Sequence, residues 1–267
     1  MNLRPESREP VTILMVPFDR YTEFPRAIDA LLKSTTYPFK LVVIENCAPE
    51  SVRHDLEQRR RAHRNIQIIY SDHPSRMAAC FNVGLIHIRT RLAVLMHNKL
   101  RVTEGWLSEL VLQAESKEGL LCPHIDHTNG IPFSFLHALM AKKSLLDEIG
   151  LFDESVGTPF WGVDLENRLL AKGVPIHREL ASVLDYQSSN TQLKRADKAL
   201  FQYQWDDPHV RQTLAYLKQK WGSAPEEATY LQWLSKKRAV PRSKPSFALP
   251  VIPLFSIAKL VHLMNRV

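Results

Sequence analysis

Val94-Leu95-Met96-His97-Asn98-Lys99-Leu100-Arg101-Val102-Thr103-Glu104-Gly105-Trp106-Leu107 decides the fold. Leu92 to Met96 is a short apolar run of the kind that forms a buried strand. Gly105-Trp106-Leu107 closes the stretch. Between them, His97, Asn98, Lys99 and Arg101 are delivered to the C-terminal end of that strand.

The residues before it alternate in the same way. Val11 to Pro17 reads as a buried strand, and Tyr21 to Ser34 as a helix with Phe24, Ile28, Leu31 and Leu32 on one face. Phe39 to Ile44 is a second strand ending at Glu45-Asn46. Pro49 to His63 is a charged helix, Ile66 to Tyr70 a third strand, and Met77 to Ile88 another helix. Such alternation implies βαβ units and a mostly parallel central sheet flanked by helices. Ligands of such sheets sit beyond the C-terminal strand ends. Here those ends are Pro17–Arg20, Glu45–Asn46, the Asp72–Arg76 loop and His97–Arg101.

The second half changes character. Phe133 to Met140 reads as a strand returning to the sheet, Lys143 to Ile149 as a short helix, and Leu165 to Ala171 as a helix stopped by Gly173. After Tyr186 the alternation ends. Ala196 to Trp221 and Glu226 to Arg238 look helical, and Pro241, Pro245, Pro250 and Pro253 break the remaining C-terminal stretch. The expected division is a sheet domain over 1–187 and a basic helical extension over 188–267.

Composition narrows the setting. With 267 residues, 45% of them hydrophobic, the chain can bury a sizeable core. Met1 to Pro10 has no apolar stretch, so no secretory signal is expected there. Cys47, Cys80 and Cys122 are sparse and unpaired by spacing, which reads as free thiols in the cytoplasm. The net charge of +7 is uneven: from Gln187 onward there are 13 Lys/Arg against 5 Asp/Glu. A basic tail suits an anionic surface or simply a solvated helix face. No RNA-binding aromatic motif or zinc-finger spacing supports nucleic acid as a partner. Phe247 to Val267 is too short and proline-broken to span a bilayer, but its apolar helix beside Lys236-Lys237-Arg238 suits a membrane surface, the catalytic domain or a second subunit.

Five segments, in order from Val11 to Tyr186, resemble family-2 glycosyltransferases of the GT-A fold. Val16-Pro17-Phe18-Asp19-Arg20 resembles that family's first strand and Pro-Thr-Tyr-Asn-Arg loop. Val42 to Asn46 resembles the strand ending in paired acids or Asp-Asn. Arg76 to Leu85 is similar to its G-x-A-x-A-x-N-x-G helix, with Asn82 and Gly84 kept. Ala141 to Glu154 resembles its Arg-Arg to Phe-Asp-Glu segment, and Asp164 to Leu169 its D-L-x-x-R-L tract. The resemblance implies a nucleotide-diphosphate-sugar donor and a glycan or lipid-linked acceptor. By position, Pro17, Asp19, Arg20, Glu45 or Asn46, Arg76, Asn82, His97 and Asn98 would contact the donor. Ordinary turn chemistry is the alternative account of Asp19 and Asn46, with the strand-end rule favouring donor contact.

The departures fall on the catalytic positions. The family's acids hold Mg²⁺ or Mn²⁺, but Lys99 and Arg101 stand in their place and cannot ligate a cation. The resemblance with this change implies a site with no divalent cofactor, where Lys99 and Arg101, with Arg76, balance the leaving diphosphate. A solvated basic edge left after loss of activity is the competing account. The family's Glu-Asp pair is also missing, since Phe160-Trp161-Gly162-Val163 occupies that place. Asp164, and Glu166 after it, are the candidate bases for an inverting displacement. Capping of the following helix is the alternative use of Asp164. Trp161 is a candidate sugar-stacking floor or a core tryptophan. His124-x-Asp126-His127 has metal-ligand residue types, but the incomplete ligand count and the neighbouring Thr-Asn-Gly turn better suit a polar loop. The alternative to an enzyme is an inactive relative that keeps the sheet as a binding module, and a third reading is polyanion binding.

Overall fold

The computed structural model describes residues 9–126, 136–158, 160–186 and 193–224. Its centre is an eight-stranded mixed sheet in the order β3-β2-β1-β4-β7-β6-β8-β5. The first four strands in chain order are β1 (Val11–Val16), β2 (Phe39–Ile44), β3 (Ile66–Ile69) and β4 (Leu92–His97). All four run parallel, with Ile13 opposite both Leu41 and Val94. Every residue of β1 and β4 is buried, which explains their unbroken apolar text. The chain turns from β1 toward β2 on one side and reaches β4 on the other. That reversal of strand order opens a crevice at the C-terminal ends of β1 and β4.

β5 (Leu100–Val102) follows β4 after the two-residue turn Asn98-Lys99, yet it pairs with β8 (Ile176–Tyr186) at the opposite edge. The sheet therefore curls until its far edge returns beside its centre. Between them lie β6 (Leu120–Asp126), parallel to β8, and β7 (Ala138–Lys142), antiparallel to β4. The expected returning strand is thus present from Ala138, while its expected start at Phe133 falls outside the described residues.

Helices cover both faces. α1 (Phe24–Ser34) buries Phe24, Ala27, Ile28 and Leu31, spaced at three and four residues, and a single 3₁₀ turn (Tyr21–Glu23) precedes it. α2 (Glu50–Ala62) packs only Val52 and Leu56 inward and leaves its charges in water. α3 (Met77–Leu85) buries nearly all of its side chains. A Cβ on Gly84 would lie 2.2 Å from Leu14 Cδ1, so this close helix–strand approach requires glycine. α4 (Trp106–Ser116) and α5 (Lys143–Ile149) follow, and α5 matches the sequence expectation.

α6 (Trp161–Ala171) starts one turn earlier than the sequence suggested. Trp161, Leu165 and Leu169 repeat every four residues on one buried stripe, so the apolar face begins at Trp161. Asp164 consequently sits inside the first turn, and Phe160 holds the N-cap position instead. The long helix expected over Ala196 to Trp221 is also broken. A 3₁₀ turn (Arg195–Asp197) leads into α7 (Lys198–Gln204), and α8 (Asp207–Trp221) begins afresh. Asp206 caps α8 by accepting from His209 N, and Pro208 occupies its first turn, a combination that starts helices rather than continuing them. Trp205, Val210, Leu214 and Leu217 join the same core as Leu14, Phe81 and Trp161. Among the described residues no helix is long and apolar enough to cross a membrane.

Candidate functional site

The C-terminal ends of β1, β2 and β4 meet in one region, and short polar loops carry their side chains. Asn98, just past β4, ties that region together. Its Oδ1 accepts from Phe18 N at 3.1 Å, and its Nδ2 donates to Arg20 O at 2.6 Å. Asn98 therefore fixes the Pro17–Arg20 loop against β4. Lys99 then turns inward, with Nζ 3.2 Å from Asp19 Oδ1 and both side chains 2% exposed. The Phe18 ring lies 5.4 Å from the same ammonium and stacks on His97 at 4.7 Å.

Arg101 also turns toward a carboxylate of this chain. Its Nη2 contacts Glu23, while Nη1 donates to the carbonyls of Asn98 and Leu100, each at 3.0 Å. Burial pushes the Arg101 guanidinium below its ordinary value against the raising effect of Glu23. A solvated basic edge is not what these residues form. Each cation is matched by a carboxylate from the segment just after β1.

His97 is fully buried and neutral. Burial, and then the nearby charge of Lys99, holds its pKa well below the ordinary range. Its Nδ1 accepts from Lys99 N at 3.2 Å, which places the ring proton on Nε2, 2.7 Å from His137 Nδ1. No sequence signal linked His137 to this site, because it arrives just before β7.

At the end of β2, Glu45 organises its own loop. It accepts from Cys47 N, Ala48 N and Ser71 N, and pairs with Arg53 at 2.7 Å. Asn46 adopts a left-handed backbone, φ 59°, a region that Asn tolerates better than most residues. Its amide bridges Ser75, accepting from Ser75 N at 2.6 Å and donating to Ser75 O at 2.9 Å. Asn82, by contrast, is turned away. Its Nδ2 donates to Phe152 O and Glu154, and its Oδ1 accepts from Phe152 N, so it clasps the loop before α6.

Sequence reading missed the part played by the segment around α7. Trp205 Nε1 donates to Asp19 Oδ2 at 3.3 Å, and its ring meets Phe18 edge-on at 5.4 Å. Gln204 donates to Ser75 O at 3.2 Å and accepts from Thr158 Oγ1. Asp197 accepts from Thr22 N at 3.0 Å and Thr22 Oγ1 at 2.7 Å. Arg76 donates to Tyr203 O at 2.6 Å and pairs with Asp206 at 2.8 Å. One short segment thus touches the loops that follow β1 and β3.

The residues expected to serve as base and acceptor floor show a similar closure. Asp164 is 1% exposed and is approached by Lys220 Nζ at 2.8 Å, Trp221 Nε1 at 3.0 Å and Arg168 Nε at 3.0 Å. Glu166 is more open and pairs with Arg178 at 2.6 Å. Trp161 packs in the core between Phe81 and Phe152, at ring distances of 4.9 and 5.6 Å. His124 and Asp126 lie on β6, and His127 falls outside the described residues.

Known proteins resemble the chain along the same lines. The family described as Glycosyl transferase family 2 matches residues 12–161. No curated protein is similar to the chain at a significant level. Among solved structures, the mannosyltransferase PcManGT from Pyrobaculum calidifontis, in complex with GDP-Man and Mn²⁺, has a TM-score of 0.58 at 12% identity. That match covers 98% of this chain and 85% of the other. GalNAc-T7 with UDP, GalNAc and Mn²⁺ has a TM-score of 0.58 at 11% identity, covering 88% of this chain and 56% of that one. S. aureus TarS 1-349 in complex with UDP-GlcNAc has a TM-score of 0.56 at 12% identity, covering 85% and 71%.

These structures correct the expectation of a site with no divalent cofactor, since two of the three hold Mn²⁺. The physical basis of that expectation is absent as well, because Lys99 and Arg101 face Asp19 and Glu23 rather than an open diphosphate position. The side chains at this strand end nevertheless do not fit a metal ion. Ammonium and guanidinium groups donate no lone pair, and among the described residues no three His, Cys, Asp or Glu gather for one. With its curled GT-A sheet and a family match over more than half its length, the chain belongs to glycosyl transferase family 2 and is a glycosyltransferase.

Proposed function

We propose that the protein moves a sugar from a nucleotide-diphosphate donor to a glycan or lipid-linked acceptor by inverting displacement. One observation carries this reading: Asp19, Asn46 and Asn98 are gathered by three separate loops at the switch point of the sheet. The Asp19 carboxylate and the Asn46 amide there can accept from a base N–H or a ribose hydroxyl, with Asn98 fixing the β1 loop beside them. The complexes of PcManGT with GDP-Man and of TarS with UDP-GlcNAc support a donor of that class.

In this account Pro17, Asp19, Arg20 and Asn46 hold the nucleoside end, and Arg76 and His97 face the diphosphate end. Glu45, Asn82 and Asn98 position the loops by holding backbone groups, and Asn46 exchanges its bonds to Ser75 for the donor. Lys99 and Arg101 keep Asp19 and Glu23 oriented. Asp164 takes the acceptor proton, with Glu166 as the second candidate, and Trp161 backs the acceptor wall from the core. Sheet residues to about 187, with α7 and α8 packed against them, form the catalytic unit. The basic segment after α8 carries the enzyme to an anionic membrane face, where lipid-linked acceptors lie, on the cytoplasmic side.

An inactive binding relative is the second reading, favoured by the burial of Asp19, Asn46, Lys99 and Asp164. Nucleotide-sugar turnover in the presence of Mn²⁺ separates the two. Release of nucleoside diphosphate above a heat-treated control supports transfer. Nucleotide binding with no turnover on any donor supports the binding relative.

A further inference from the structure

Asp19, Asn46 and Arg76 are the groups most suited to a donor, and each is occupied or screened by contacts within the chain. Four ties from one stretch reach these groups or residues beside them. Asp197 holds Thr22 just beyond β1, and Trp205 holds Asp19 in the β1 loop itself. Gln204 binds the same Ser75 carbonyl that accepts from Asn46 Nδ2. Tyr203 O and Asp206 take both ends of the Arg76 guanidinium, which also stacks 4.6 Å from the Tyr203 ring centre.

The character of these contacts differs from those of the neighbouring helix. α8 is anchored by apolar side chains, Val210, Leu214 and Leu217, and by Thr213 accepting from Gly157 N at 3.1 Å. Gly157 admits α8 so closely that a Cβ there would meet the His209 ring at 2.2 Å. The stretch before it is held mainly by polar groups, with Leu200 and Trp205 its buried apolar parts. Polar ties of this sort are exchanged for water or ligand bonds at small net cost, whereas apolar seams are not. The backbone also changes course at the junction: Trp205 leaves α7 in a non-helical conformation and Asp206 is extended.

We propose that Arg195–Trp205 is a self-inhibitory plug that pivots at Trp205–Asp206, leaves α8 in place, and must withdraw before a nucleoside diphosphate binds. The proposal rests on the donor reading above. It adds that the donor competes with Trp205 for Asp19 and with the Tyr203 carbonyl for Arg76. A site open in only a fraction of molecules binds its ligand more weakly by that fraction. Weakening the plug therefore tightens binding, and locking it abolishes binding.

Two variants test this with UDP and GDP as probes, titrated calorimetrically in Mn²⁺. Trp205→Phe removes the indole N–H that holds Asp19 but retains an aromatic ring for the core. It should bind about fivefold tighter than the wild type, as expected for a modest shift of a closed population. Thr22→Cys with Asp197→Cys places two thiols where the present side chains touch, with the new bond verified by peptide mass. The oxidised form should lose binding at least roughly tenfold, and a reducing agent should restore it. Equal affinity in oxidised and reduced forms, or an unchanged affinity in Trp205→Phe, overturns the plug and leaves the donor site standing. Failure of every form to bind either nucleotide overturns the plug and the donor site together.

Discussion

Lys99 Nζ and Asp19 Oδ1 lie 3.2 Å apart in a region where neither side chain has more than 2% of its surface in water. A pair so enclosed is costly to break from one side, because the remaining charge stays buried without its partner. Lys99→Met should destabilise the fold by about 3–5 kcal/mol. Adding Asp19→Asn to that variant should recover much of the loss, since an amide does not need a counter-charge. Urea unfolding of the wild type, the single variant and the double variant measures both effects. Equal stabilities of single and double variants would show that the ion pair is not what holds this loop.

Asp164 is the group whose removal should affect transfer most on the acceptor side. Asp164→Asn should lower transfer by roughly 10²–10⁴-fold, the usual range for loss of a general base. Nucleoside-diphosphate affinity should stay unchanged, because Asp164 lies on α6 and not in the β1 or β2 loop. Glu166→Gln should change transfer much less. The reverse pattern would move the base to Glu166.

Buried histidine sets a pH dependence of stability. His97 stays neutral in the fold far below its ordinary value, and burial holds His209 down to about 4. The unfolded chain takes up these protons as pH falls through about 6.5, while the folded chain does not. Stability is therefore full above that pH and declines below it, by at most about 1.4 kcal/mol per pH unit for each histidine. His97→Gln should give a shallower decline between pH 6.5 and 5. Thermal unfolding across that range is the measurement, and an unaltered slope would mean that His97 takes its proton in the folded state.

Gly84→Ala should be poorly tolerated although alanine is the better helix former. The added methyl would sit 2.2 Å from Leu14 in the fully packed centre of the sheet. Overpacking of this kind costs roughly 1–3 kcal/mol. Gly150→Ala makes a useful contrast, since no atom lies near the position of its Cβ and its penalty comes from backbone strain at φ 79° alone. Urea unfolding of the two variants compares the costs, and equal losses would show that the contact with Leu14 is relieved without penalty.

The parts of the fold that were legible in the sequence are those with local causes. β1 and β4 are continuous apolar runs because both faces of the sheet are covered, and Phe24, Ile28 and Leu31 mark α1 by their spacing. The break between α7 and α8 was also written locally, in Asp206-Asp207-Pro208, and was overlooked inside a longer helical pattern. The placement of Asp19, Asn46 and Asn98 beside the strand ends was legible in the sequence. The partners of Lys99 and Arg101 were not legible. A lysine in a strand-end turn has the same text whether it faces phosphate, water or Asp19, and the choice depends on contacts 80 and 78 residues away. The same holds for Trp205, which reaches Asp19 across 186 residues.

The central claim is that the ends of β1, β2 and β4 form a nucleoside-diphosphate site. A crystal structure of the protein grown with UDP or GDP and Mn²⁺ tests it most directly. The account predicts density for the base and ribose between Asp19 and Asn46, with the indole of Trp205 displaced from Asp19. Nucleotide bound elsewhere on the molecule, with Asp19, Asn46 and Trp205 left in their present contacts, would contradict it.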